Sequence, residues 1–534
     1  MVSMKNKIKW YHHKENIVFF LLFFLVTVVY FLIPVFVMPD SVEYYNYLKI
    51  FQGVAPMSTW KVVRGPTFPL IVFWGTRMFG DNIRGILMLT YLFFLSFLTF
   101  SYFFIQKVLQ TFFVSKAKIF IIYFLYYLFV SLNPILFGYF HGFLTEFVAI
   151  LFLFISPILC WKWLGISFKK SKRKYILYNI LFIFLFIFLW FLKQPYVSGI
   201  LFSLLIACTI SIYNEFSLQN VTQRLATVLI CLLSLGGGIL SWNKILETNN
   251  VNSKGQSTSQ FFLNNTIIKG IPNIQFESEL GLEVVNYMED SYLSGKDKEK
   301  INNILENDSG KSFEIIQILS HDGELMNKMV IYFDGDTFST KDAIIFWLKV
   351  VAEHPKTVVE GYFANYLAMI NIYVSTRDDK GRYYPVREFL NFDHENRTIG
   401  LSYLQNDGNF LWIRDEHYDS IGHLYAENNK NIFAGKIFQI YVKFHLIIFK
   451  IIFAILPFLL IFSIVRYITT LKQMDLKTKN YYCLVIILLG FSFLHALFHA
   501  VTGAIIDRYV YVVLPEIVLA IIILLILRIR KKKM

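Results

Sequence analysis

The chain has 534 residues, of which 56% are hydrophobic, 18% aromatic and 16% charged, with a formal net charge of +14. Soluble domains carry about 25% charged residues, so the composition excludes an ordinary soluble fold. The positive charge argues against nucleic-acid binding too, because it is concentrated in short segments between apolar runs: Lys5, Lys7, Lys9 and Lys14; Lys169 to Lys174; Arg528 to Lys533. That distribution is the positive-inside pattern of cytoplasmic loops. The four cysteines, Cys160, Cys208, Cys231 and Cys483, all lie in apolar runs and suggest neither a disulfide framework nor a thiolate metal site.

Read along the chain, the pattern predicts an all-α polytopic membrane protein of about ten transmembrane helices, near 17–38, 84–106, 118–134, 143–164, 175–192, 195–213, 225–243, 446–466, 481–500 and 509–528. The first is too long for a signal-peptide core and reads as an uncleaved span. Lys and Arg counts put both termini in the cytoplasm. The first loop (39–83), short turns at 135–142, 193–195 and 501–508, and a polar segment of about 246–433 then face outward. The polar segment is long enough for an extracytoplasmic soluble domain. It divides an N-terminal transmembrane module, 1–245, from a C-terminal one, 434–534. Within it, TVVEGYFANYLAMINIYV (358–375) is apolar enough to lie on the membrane or on the helical core. In the first loop, PTFPLIVFWGTRMFG (66–80) is apolar but too short to span and reads as an interfacial helix.

Charge is costly at a membrane and marks cavities, partners or substrates. MPDSVEYY places Asp40 and Glu43 directly after the first apolar run. Asp-x-x-Glu is a capping-box pattern; a carboxylate there is equally a proton acceptor for a hydroxyl nucleophile. The two readings are compatible. Tyr44 and Tyr47 follow at helical spacing on the Asp40 face. Arg64 precedes the stiff GPTFP element. Glu146 stands in FHGFLTEFVAILF, about one turn inside the fourth expected span, with no basic residue in that helix, so it needs a remote partner. His141 lies nearby. Lys193 interrupts FLWFLKQPYVSG, and Arg508 precedes the last span in DRY. His495 and His499, four apart, leave a divalent metal open as a cofactor, without an evident third ligand. Outward-facing cations gathered with acids suit a phosphate held near a general base, since guanidinium donors match phosphate oxygens.

DSVEYY after the first span, RGPTFP, LTEFVAILF, KQP, AEHPKTVVEGYF and DRYVYVVLPEIVLA, in that order and on one side, resemble the patterns of GT-C glycosyltransferases. The resemblance covers about 1–245 and 434–534. It implies an integral-membrane enzyme that moves a sugar, with inversion, from a polyprenyl-phosphate donor to an extracytoplasmic glycan, lipid or protein acceptor. On that resemblance Asp40 is the catalytic base and Glu43 a second candidate. Arg64, Lys193 and Arg508 bind the phosphate, and Glu146 positions donor or sugar. Tyr44 and His141 complete the substrate-binding candidates. The Asp-Glu doublet and the metal-ligand pattern of oligosaccharyl transferases are not evident. Competing readings are a polysaccharide polymerase or ligase and a non-catalytic lipid or solute transporter.

Overall fold

The computed structural model describes residues 14–32, 44, 47–60, 65–80, 83–112, 116–142, 144–166, 171–249, 251, 296, 299, 340–370, 436–470, 474–501 and 510–531. Asp40, Glu43, Arg64 and Arg508 lie outside the described residues, as does most of the expected outer domain. Among the described residues the chain is all-helical, with no β-strand.

Helix α1 (Lys14–Leu32) is followed by the helical residues 44 and 47–51, then by α2 (Thr67–Phe79) and α3 (Ile83–Thr111). As the apolar but short segment predicts, α2 has 13 residues. It buries Phe68, Val72, Gly75 and Thr76 and packs on α3, while Trp74 and Met78 stay exposed. It stops at Gly80, whose φ of 100° lies in the region glycine adopts readily.

The next segment differs from the expected span and turn. Helix α4 (Lys116–Tyr126) widens into a π turn (Tyr127–Ser131), and the chain then bends by 52° into a buried helix, α5 (Pro134–His141), where a short turn was expected. Local chemistry explains the restart: Asn133 Oδ1 accepts from the backbone N–H groups of Ile135 and Leu136, and Pro134 sits where a missing N–H costs nothing. A bend leaves carbonyls without helical partners. Asn133 Nδ2 donates to the Phe129 carbonyl, the Tyr441 hydroxyl to that of Leu132, and His445 Nε2 lies 3.0 Å from that of Leu128.

Helix α6 begins at Glu146, one turn later than expected, and runs Glu146–Leu164. Then come α7 (Lys172–Leu192), α8 (Val197–Asn214) and α9 (Leu218–Thr248). From the polar segment, α10 (Thr340–Glu353) and α11 (Pro355–Ile370) form a pair joined by the Trp347 indole N–H donating to the Tyr362 hydroxyl at 2.9 Å. Of the two places open to the apolar 358–375 stretch, α11 takes the helical core. Asn365 Nδ2 donates to the Ala500 carbonyl at 3.0 Å and the Tyr366 hydroxyl to that of Phe453 at 3.1 Å. The last helices are α12 (Lys436–Thr470), α13 (Leu476–Val501) and α14 (Leu514–Lys531).

Helix α13 is the axis of the bundle. Every residue from Tyr481 to Ser492 is buried, and α6, α8, α11, α12 and α14 all pack against it. Gly199 of α8 and Gly490 of α13 permit this closeness: an added Cβ would lie 2.6 Å from Leu153 and 2.7 Å from Ile206. Among the described residues, seven helices are long and apolar enough to cross a membrane, or eight if the bent α4–α5 pair is one span. These support a multi-pass membrane protein. Helices also stand at the expected first and last spans, as α1 and α14. Helix α14 carries Glu516 in its first turn and Arg528, Arg530 and Lys531 near its end.

Candidate functional site

Polar side chains converge at the end of the bundle where α6 begins and α7 and α13 finish. Glu146 is the first residue of α6 and is fully buried. The N-terminus of a helix favours a carboxylate, and three described side chains reach it. The Tyr196 hydroxyl donates to Oε1 at 2.9 Å, the Thr145 hydroxyl to Oε2 at 3.3 Å, and Lys193 Nζ lies 3.7 Å from Oε1. Lys193 is thus a remote cationic partner of the kind the acid requires.

Local backbone chemistry aims both Lys193 and Tyr196. Helix α7 ends because Lys193 turns extended (φ −167°, ψ 123°), with its N–H still bonded to the Leu189 carbonyl. Pro195 then favours a single 3₁₀ turn, Gln194–Tyr196, in which the Tyr196 N–H donates to the Lys193 carbonyl. The KQPY break therefore delivers a cation and a hydroxyl to one carboxylate.

Two histidines adjoin this pair. The Ser198 hydroxyl donates its proton to the Pro195 carbonyl at 2.7 Å, so it accepts from His495 Nδ1 at 3.1 Å. That assigns the Nδ1–H form to His495 and leaves Nε2 as its lone-pair nitrogen when the ring is neutral. The His495 and His499 rings stand edge to face, 4.6 Å apart, and Lys193 is an electrostatic neighbour of His499. Glu146, His495 and His499 are fully buried, whereas Lys193 keeps 11% of its side chain exposed. The cluster offers a cation, hydroxyls and imidazole around a desolvated acid, a combination able to hold an anionic or hydroxyl-bearing ligand. Among the described residues, no group of three or more His, Cys, Asp or Glu is placed to hold a metal ion.

The first loop reaches this end at two points. Tyr44 is buried with its ring edge-on to Phe68, at 4.6 Å, and Phe68 meets Phe147, the neighbour of Glu146, at 5.5 Å. Gly65 lies against the backbone of Phe191, where an added Cβ would be 2.1 Å from the carbonyl oxygen. This contact docks the GPTFP element beside the end of α7 that carries Lys193. Gly65→Ala should therefore undock the loop. We expect sharply raised proteolysis of the first loop and loss of function, because the obstacle is backbone and cannot rotate away. Unchanged proteolysis would contradict the close approach.

His141 is placed differently. Its Nδ1 lies 2.8 Å from the Phe137 carbonyl, its Nε2 2.9 Å from that of Tyr30, and its ring 4.0 Å from the Tyr30 ring. The Nδ1 contact stays within α5, and the Nε2 contact and the ring stacking join α5 to α1.

No family model, curated protein or solved structure matches the chain. The site therefore rests on its own geometry. Sequence reasoning missed Tyr196 and Ser198, and the signal was the KQPYVS spacing. A proline-broken helix end puts residues three apart on one side of a tight turn.

Proposed function

We propose that this chain is a GT-C-like membrane glycosyltransferase. It moves a sugar from a polyprenyl-phosphate donor to an acceptor outside the cytoplasm, a cell-envelope glycan, lipid or protein. The observation that carries the reading is the buried Glu146–Lys193 pair, braced by Tyr196 and adjoined by His495 and His499, at one end of an apolar bundle. A sugar phosphate already contains a good leaving group, and its departure needs positive charge held in a low-dielectric place. In this scheme Lys193 meets the phosphate with Arg64 and Arg508. Glu146 orients Lys193 and the donor, and Asp40 accepts the acceptor's proton, with Glu43 beside it. The docking of Gly65 against Phe191 supports Arg64 belonging to the same end as Lys193.

The transporter reading has one observation in its favour: the 52° break between α4 and α5, since broken helices often mark transport sites. One assay separates the two. Purified protein given a polyprenyl-phosphate sugar should release polyprenyl phosphate only when an acceptor is present; transport without release would favour the alternative. In the same assay Asp40→Asn should lower turnover by at least about a hundredfold, the scale of a lost general base, while donor binding persists. Full activity in that variant would remove Asp40 from the mechanism.

A further inference from the structure

A second polar place in the bundle stands apart from the Glu146 cluster. Glu516 lies in the first turn of α14 and is fully buried. Among the described residues, neither of its carboxyl oxygens has a hydrogen-bond partner and no lysine, arginine or histidine pairs with it. Tyr126, an electrostatic neighbour of Glu516, is also buried; its hydroxyl faces Ser101 without a hydrogen bond of good geometry. Ser131, at the far end of the π turn that packs against α14, is buried with its hydroxyl oxygen unpartnered among the described residues. Three buried oxygen-bearing groups thus lie on α4, on the π turn that continues it and on α14, which packs against both, at the place where a helix departs from α geometry. Such π segments recur at functional sites.

An ionised carboxylate cannot rest alone in such surroundings. The terminus of α14 supplies roughly half a positive charge and leaves the rest uncompensated. The neighbouring helices do not supply the remainder. On α12, His445 faces the Tyr441 and Leu128 carbonyls, on α13, His495 faces Ser198, and on α3, Tyr102 stacks on Tyr123. The buried polar groups on the elements that meet here, a carboxylate and two hydroxyls, offer oxygens, which suit hard ions. One carboxylate balances one positive charge, and a divalent ion would leave an excess in an apolar interior.

We propose that Glu516, with the Tyr126 hydroxyl and supported by Ser131, is a binding site in the bundle interior for a small monovalent cation, a proton or a sodium ion. The inference is independent of the transferase reading, since it uses none of that site's residues.

The test treats the full chain in lipid nanodiscs with the apolar reagent dicyclohexylcarbodiimide and reads modification of Glu516 by peptide mass spectrometry. This reagent reacts with a protonated carboxyl, whose proton passes to a carbodiimide nitrogen as the oxygen bonds to the central carbon. Labelling of Glu516 should fall severalfold from acid to alkaline pH. If sodium chloride, but not choline chloride, suppresses it at fixed pH, the ion is sodium; dependence on pH alone identifies the proton. A Glu516 that stays unlabelled at every pH, as a permanent ion pair would, overturns the proposal. So does labelling indifferent to both pH and sodium. Glu516→Gln supplies a second measurement: the shift of the unfolding midpoint with pH or sodium should disappear in this near-isosteric variant. An undiminished shift would refute the assignment.

Discussion

Lys193→Met should lower stability by about 3 kcal/mol and abolish transfer. Breaking a buried ion pair by removing one partner costs about 3–5 kcal/mol, because the surviving charge is stranded. The lower end applies here for two reasons. Lys193 retains some exposure, and Glu146 keeps the Tyr196 and Thr145 hydroxyls as donors. The loss should be visible as a lower unfolding midpoint in detergent or nanodiscs. Lys193→Met combined with Glu146→Gln should recover most of the stability, since neither charge then remains buried. It should not recover activity if the ammonium meets a phosphate. The cycle thereby separates the two roles of one residue. Equal stability of Lys193→Met and the unaltered protein would mean that the pair contributes nothing to the folded state.

The second large effect is expected at Arg224, away from the site. Its guanidinium is buried and meets five acceptors. Nε donates to the Ser211 hydroxyl at 3.0 Å and to Asn220 Oδ1 at 3.2 Å. The terminal nitrogens donate to the carbonyls of Trp163, Leu164 and Ile166 at 3.4, 3.2 and 3.0 Å. The guanidinium carbon also lies 4.0 Å over the Trp163 ring. The last carbonyls of a helix lack internal partners, and a cation there complements the helix dipole. Arg224 thus closes the end of α6 and ties it to α8 and α9. Arg224→Ala removes the guanidinium from half-buried Leu164 and Ile166 and leaves Trp163 only its backbone donors, and should cost about 3 kcal/mol, each hydrogen bond to a charged group contributing about 1.5–3 kcal/mol before compensation by water. Arg224→Lys keeps the charge but not the planar fork, and should lose about half as much. Hydrogen exchange should rise at the amides that close the last turn of α6. If exchange there stays protected in Arg224→Ala, the end of α6 is held by something else.

How much could be read from the chain varied with the range of the interaction. The apolar segments were legible because apolarity is a local property that the backbone's own hydrogen bonds convert to helix. The same held for α2, where length alone excluded a span. The α4–α5 bend was not legible. Asn133-Pro134 looks like a turn, and the residues that stabilise the bend, Tyr441 and His445, lie in α12, about three hundred positions later. Glu146 was conspicuous as a lone acid in an apolar run, yet nothing in its own segment named its partner. Arg224 and Glu516 drew no notice as individual residues. One follows a loop where a basic residue is unremarkable, and the other sits in a motif whose Arg508 was the more conspicuous charge.

By itself, the sequence determined that this is a helical chain with multiple apolar spans, and it pointed to the residues where charge is expensive. Composition and periodicity suffice for that because each span makes its backbone hydrogen bonds within itself. Tertiary structure alone decided which polar groups meet. Tyr196 reaches Glu146 from 50 residues away and His495 reaches Ser198 from 297 away, through the packing of α6 and α8 on α13. It also decided which acid is paired and which is solitary. A carboxyl's partner depends on the arrangement of helices around it, and no local pattern encodes that arrangement.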